Sequence, residues 1–195
     1  MNMILAHLTI DNREQTLAQH AKGTAELCEE FAAVFGAGPY AREMALAHDA
    51  GKQADAFQRY LRRAAQNPRQ KMHGPDHSTA GAQFLMRAGM AHAALCVAGH
   101  HAGLPDVGNA RTDTGDSSTF CGRMKRTDLP DAGAWLRENE IQKRQPPMLP
   151  QDGIHQSFLV RMLFSCLTDA DFLDTEAFMQ GASPRGDAYE PLTAL

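Results

Sequence analysis

Apolar residues recur at helical spacing along most of the chain, and this periodicity limits the possible folds more than any other feature. From about Arg13 to Phe35 they fall at Leu17, Ala21, Thr24, Leu27, Cys28, Phe31, Val34 and Phe35, which is one face of a helix. Gly36 to Pro39 ends that segment. Alternating runs of β-branched residues do not occur, and Ala, Leu, Met, Glu, Gln and Arg fill the periodic stretches. These are helix formers, so the chain reads as all-α. At 195 residues with 43% hydrophobic and 22% charged residues, it reads as one folded domain that needs no disulfide or metal to close its core.

Further helices are expected at Ala41 to about Asp49, stopping at Gly51, and at Ala54 to Ala65, broken by Asn67-Pro68. Ser78 reads as the N-cap of a helix running to about Ala88. Gly89 separates it from a helix over Ala91 to about His101, which Gly103 and Pro105 stop. Leu104 to Pro130, rich in Gly, Asp, Thr and Ser, reads as a long loop. A short helix around Trp135 and a second loop, Lys143 to Gly153, precede the last strong helix, Ile154 to about Phe178. Residues 1–180 are expected to form the domain, with 181–195 as a tail or the start of a linker.

No apolar run approaches the roughly 20 residues of a membrane span, so no membrane partner is expected. The start, MNMILAHLTIDN, lacks the basic segment and cleavage site of a signal peptide. Cys28, Cys96, Cys121 and Cys166 are scattered with no CxxC, which gives no support to a thiolate zinc site or a redox pair. A reduced, cytoplasmic setting is expected. The net charge of −4 by itself offers nucleic acid nothing, but the charge is uneven. Lys52 to His73 carries six basic residues against one acid, and Asp169 to Glu190 carries six acids against one arginine. The basic stretch is either a solvated helix face or a track for a phosphate backbone.

The chemistry lies in the histidines. His48-Asp49 ends a helix and sets an imidazole beside a carboxylate whose two oxygens can bridge two ions; Gly51 lets the chain turn tightly there. His100-His101 can reach one ion only where a helix ends, since adjacent helical residues diverge by about 100°, and Gly103 and Pro105 supply that end. His20 lies on the apolar side of the first helix, where a buried imidazole needs a polar partner or a metal. His77 precedes a helix start, and Asp171 sits in an otherwise apolar last helix. The order is His, His-Asp, His, His-His, Asp. Ligands of nitrogen and oxygen alone favour Mn, Fe, Ni or Co, with Mg possible, over structural zinc. His20, His48, Asp49 and Asp171 are assigned to one ion, and Asp49, His77, His100 and His101 to a second. Two such ions can clamp a phosphodiester and activate water for in-line attack. His48 and Asp49 are therefore the expected catalytic pair.

The ordered segments QTLAQH (15–20), AHDAGK (47–52), FQRYL (57–61), DHSTAG (76–81), GHHAGL (99–104), FSCLTDAD (164–171) and DTE (174–176) resemble the HD phosphohydrolase superfamily. More closely, they resemble the HD nuclease domain of the CRISPR-associated type I interference nuclease-helicase, from about His7 to Phe178. The resemblance implies an HD-type helical bundle around a dinuclear metal site, with long loops, that cuts single-stranded DNA. It implies a helicase domain or subunit and an RNA-guided surveillance complex as partners. Carried onto this chain, the metal ligands are His20, His48, Asp49, His77, His100, His101 and Asp171. Lys52 is expected to contact substrate phosphate, and Ser78 and Thr175 to be polar neighbours of the site. Asp169 and Asp171 both compete for the final ligand, and the Ala-Asp pair of the superfamily's last motif favours Asp171. Ala47 and Ala50 stand where leucine is more usual. No GKS/T phosphate loop occurs, so the sequence reads as a stand-alone nuclease subunit or a piece of a longer protein.

His7, His73, His92 and His155 lack comparable support as ligands, and Phe57, Tyr60 and Trp135 read as packing residues rather than base-stacking ones. Two other functions stay open at this level: a phosphohydrolase for small nucleotides, and a helical docking module without catalysis.

Overall fold

The expected helices dominate the fold, and their phase is set by which residues can be buried. The structure, a computed structural model, describes residues 3–129, 132–147 and 152–180. The expected tail 181–195 lies outside the described residues, as do Pro130 and 148–151 of the two expected loops. Helix α1 (Leu17–Ala33) buries Leu17, His20, Ala21, Thr24, Ala25, Cys28 and Ala32, a stripe at helical spacing. Helices α2 (Gly38–Ala47), α4 (Ser78–Arg87), α5 (Ala91–Gly99) and α8 (Gly153–Gln180) complete the bundle. In it α1 packs on α2 and α8, α4 on α5, and α5 on α8. Helix α3 (Asp55–Gln66) lies on the surface and buries only Phe57 and Gln58. Two short helices, α6 (Phe120–Met124) and α7 (Gly133–Glu138), lie between α5 and α8. No described helix is long and apolar enough to cross a membrane.

The core is built largely from small residues. Ala25, Ala32, Ala41, Ala45, Ala47, Ala82, Ala93, Ala94 and Ala170 are all fully buried. Leu17, Met44, Leu85, Met90, Leu163 and Leu167 supply the bulk between them. Alanine lets helix axes come close, so side chains from several helices can meet at one point.

Three details depart from the expected elements. The chain does contain strands: β1 (Leu5–Leu8) and β2 (Glu14–Thr16) pair antiparallel. Asn12 makes their connection with φ 63°, a left-handed conformation that asparagine tolerates. These strands are too short to leave an alternating pattern. The first helix accordingly starts at Leu17 rather than Arg13, with Thr16 and Gln19 forming a reciprocal capping box. Ser78 is not an N-cap: it is the first residue of α4, His77 is the cap residue, and the Asp76 carboxylate accepts the Thr79 N–H at 3.1 Å. Finally, the expected loop from Leu104 contains α6 and folds back on itself, with Phe120 N–H donating to Asp106 O and Cys121 N–H to Val107 O.

Candidate metal centre

Five helices and the 3-10 turn that follows α2 deliver the His/Asp set to one place. His20 comes from the middle of α1, and His48 ends α2. Asp49 leads into a buried 3-10 turn, Ala50–Gln53. His77 stands just before α4, and His100-His101 just beyond α5. Asp171 comes from α8. Two glycines make this approach possible. A Cβ on Gly51 would stand 2.4 Å from His77 O, and one on Gly81 would stand 1.9 Å from Ala47 O. Without side chains there, the start of α4 lies directly against the His48-Asp49 turn, and Gly51 N–H donates to His77 O at 3.1 Å.

The side chains form two groups, each able to hold an ion: His20, His48 and Asp171, and Asp49, His77, His100 and His101. Asp49 lies between them. Its Oδ2 is 3.3 Å from both His20 Nε2 and His48 Nε2, and its Oδ1 is 3.5 Å from His77 Nε2 and 3.6 Å from His100 Nε2. Asp171 Oδ1 is 3.1 Å from His20 Nε2 and 3.7 Å from His48 Nε2. Ligands bonded to an ion at about 2.1 Å stand roughly 3.0 Å apart when adjacent and 4.2 Å when opposite. The carboxylate–imidazole separations fall in that window. His77 Nε2 and His101 Nε2 are closer, at 2.6 Å.

The imidazoles are oriented from behind. His48 Nδ1 lies 2.6 Å from Ala45 O, His100 Nδ1 2.7 Å from Val97 O, and His77 Nδ1 3.1 Å from Pro75 O. His20 Nδ1 lies 2.7 Å from Asp174 Oδ2, which also accepts from Gln15 Nε2. In each case Nδ1–H donates to oxygen, which turns Nε2 into the cluster, as in metal-bound histidines. Among the described residues, His20 Nε2, His48 Nε2, His100 Nε2 and Asp49 Oδ1 are buried with no hydrogen-bond partner. Buried polar atoms are rarely left so, and cations held by the two groups would satisfy all four. The residues present therefore fit divalent metal.

Electrostatics agree. Burial opposes charge on His20, but Asp171, Asp174 and Asp49 outweigh it and push the group up to about 10. His48 is likewise pushed up to about 9, against its own burial, chiefly by Asp49 and Asp171. Asp49 and Asp171 are held far below the usual carboxylate range, despite burial, by these histidines and, for Asp49, by Lys52. The carboxylates thus stay charged and draw positive charge into the site. Burial, with His100 and His77 beside it, takes His101 down to about 3.

The seven expected ligands all come together here. Asp171 faces the cluster whereas Asp169 is exposed, as their different positions around α8 require. Lys52 is nearly buried, with Nζ 2.6 Å from Asp49 Oδ2 and 5.7 Å from the centre of the Phe57 ring. Ser78 accepts from Arg123 at 2.8 Å, and Thr175 Oγ1 lies 3.3 Å from His7 Nε2. His7, set aside in the sequence, does reach the cluster: its ring stands 4.8 Å from that of His20. Burial, with Lys52 and His20 nearby, takes it down to about 3. Strand β1 brings it there, and no helical pattern marks it. His155 pairs instead with Asp152 at 2.6 Å on the surface, and His73 is exposed. Phe57 and Trp135 are buried packing residues. The roles of Asp174 and Gln15, which lie in the resembling segments, and of Arg123 escaped the sequence reading because their partners lie far away along the chain.

No curated protein matches the chain. The family model described as "Cas3, HD domain" matches residues 4–168, which is most of the sequence and includes every ligand candidate except Asp169 and Asp171. A match of that extent makes this chain a member of the Cas3 HD-domain family, the HD-type, metal-dependent nuclease domain of the CRISPR nuclease-helicase.

Proposed function

We propose that the chain hydrolyses phosphodiester bonds of single-stranded DNA in type I CRISPR interference, using two divalent ions. The observation that carries this reading is Asp49, which turns one oxygen toward each of two His/Asp groups whose buried nitrogens lack other partners. His20, His48, Asp49 and Asp171 would hold one ion, and Asp49, His77, His100 and His101 the other, with Mn, Fe, Ni or Co suited to this donor set and Mg possible. When bound, the two ions supply Lewis acidity and lower the pKa of a water for in-line attack on phosphorus.

The chain's own groups do the rest. The Nδ1–H donors of His20, His48, His77 and His100 fix their rings, so little reorganisation is needed during reaction. The Lys52 ammonium rests on the Asp49 carboxylate and, with that carboxylate engaged by an ion, would be free to turn to a phosphate oxygen. Arg59, Arg62, Arg63, Arg69 and Lys71 are exposed on and just beyond α3, the helix whose Phe57 ring lies 4.9 Å from His77. They form a basic track that leads a strand's backbone to the site. His101 is exposed and His77 partly so, which opens the site to a polymer. A helicase domain or subunit feeds the strand, which an RNA-guided surveillance complex displaces.

The test is cleavage of circular single-stranded DNA by chelator-stripped protein given Mn, Ni, Co, Fe, Mg or Zn singly. Cutting with transition metals that is lost in His48→Ala is expected. A folded protein that binds two ions yet cuts nothing, while hydrolysing small nucleotides, would refute the DNA reading.

A further inference from the structure

The segment from Leu104 to α7 has no ligand of its own, yet one of its side chains reaches both histidine-bearing segments of the second group. Arg123, on α6, donates from Nε to Thr79 Oγ1 at 2.8 Å, from Nη2 to Ser78 Oγ at 2.8 Å, and from Nη1 to Ala98 O. Ser78 and Thr79 directly follow His77, and Ala98 lies two residues before His100. One planar guanidinium therefore spans the two segments that carry His77, His100 and His101. Arginine's rigid fork of donors suits this, and lysine cannot replace it.

The clamp is itself held. Gln83 Nε2, on α4, donates to Arg123 O at 3.1 Å and to Arg126 O at 2.8 Å, closing the C-terminal end of α6. Thr79 Oγ1, while accepting from Arg123, donates to Asp76 Oδ2 at 2.6 Å, and Arg126 Nη1 lies 2.6 Å from the same oxygen. Asp76 immediately precedes His77. These bonds end on the Asp76–Thr79 segment, on α4 and on α5. None of those named reaches α1, α2 or α8, which carry His20, His48 and Asp171.

We propose that Arg123 is a positioning residue for one ion of the pair, fixing His77 against His100-His101 so that their Nε2 atoms share a cation. This rests on the two-ion reading above. Loss of a group that orients metal-binding histidines typically weakens the ion about tenfold to a hundredfold. The effect should fall on the ion held by His77, His100 and His101 and spare the one held by His20, His48 and Asp171.

The experiment is calorimetric titration of Mn into the chelator-stripped full chain, wild type against Arg123→Gln, with folding followed by circular dichroism. The wild type is expected to take up two ions. In Arg123→Gln, the ion that His77→Ala abolishes should bind about tenfold to a hundredfold more weakly. The ion that His20→Ala abolishes should stay within about twofold. Lys125→Gln, on the same turn but bonded to Asp113 O, should change neither. Equal weakening of both ions, or no weakening, overturns the positioning role and leaves the two-ion reading standing. A wild type that binds fewer than two ions overturns the two-ion reading itself. Should Arg123→Gln fail to fold, Thr79→Val removes the hydroxyl that two of the guanidinium nitrogens share. It must then show the same selectivity at smaller size, and the absence of any selectivity overturns the proposal.

Discussion

Gly81→Ala tests the closeness of α4 to the His48-Asp49 turn on which the whole site depends. A Cβ at this position would stand 1.9 Å from Ala47 O and 3.0 Å from Ala47 C, both backbone atoms that no rotamer change can move. Real Cβ contacts essentially never fall below 3.0 Å, so the two segments must part by at least about 1.1 Å. Overpacking of this kind costs about 1–3 kcal/mol. For a domain of this size each kcal/mol lowers Tm by about 2–4 °C. The expected loss is therefore at the upper end, about 6–12 °C for 3 kcal/mol, measured by calorimetry on ion-free protein. His48 and Asp49 directly follow Ala47, and a shift near 1 Å exceeds the roughly 0.5 Å that a ligand set tolerates. Mn affinity should fall with stability. Gly153→Ala is the control, because nothing lies within 4 Å of its added Cβ. A Gly81→Ala protein within about 2 °C of wild type, with unchanged Mn binding, would show that the close approach of α2 and α4 is not what holds the site.

Asp174→Asn leaves His20 a neutral partner in place of the carboxylate 2.7 Å from its Nδ1; Mn held by His20 should weaken by about tenfold or more, and unchanged affinity in calorimetry would remove Asp174 from the site. Stability of the ion-free protein should depend on pH in a defined way. The raised groups His20 and His48 contribute fully below about pH 6.5 and lose that contribution as pH rises toward about 9 and 10. The depressed groups Asp49 and Asp171 contribute above their ordinary value of 3.8 and lose it on acidification. His7 and His101, which burial keeps neutral when folded, lower stability as pH falls below about 6.5. Tm of chelator-treated protein should thus peak near pH 6.5, and a Tm still rising from pH 7 to 9 would contradict these charge states. Gln58→Leu removes a buried amide that bonds Leu5 N, Leu5 O and Lys52 O at 2.8–3.1 Å. With about 1–3 kcal/mol for each stranded buried group, it should lower Tm measurably and speed hydrogen exchange at Leu5; wild-type exchange there would refute the stitch.

How far the site could be read beforehand depended on whether a signal was local. His48-Asp49 and His100-His101 stood out because each pair sits at a helix end marked by glycine or proline a few residues on. Asp171 stood out because a carboxylate interrupts an apolar helix. By contrast, His7 reaches the cluster from a strand of four residues, too short to leave a periodic pattern. Ser78 looked like a cap because serine usually caps, but here the Asp76 side chain meets the Thr79 N–H. The stretch after Leu104 read as loop because Gly, Asp, Thr and Ser dominate it. Its short helix forms through bonds to its own distant residues and to Gln83.

By itself, the sequence determined the helical character, the order of nitrogen and oxygen ligands, and the family whose motifs they match. Each of these follows from residue type and from the spacing of near neighbours, which fix backbone preference and helix phase. Tertiary structure alone decided that Asp49 turns one oxygen to each group, that Asp174 backs His20, and that Arg123 ties His77 to the end of α5. Those relations join residues tens of positions apart. Their distances are set by how closely an alanine-rich core and two bare glycines let the helices approach, and no local preference encodes that.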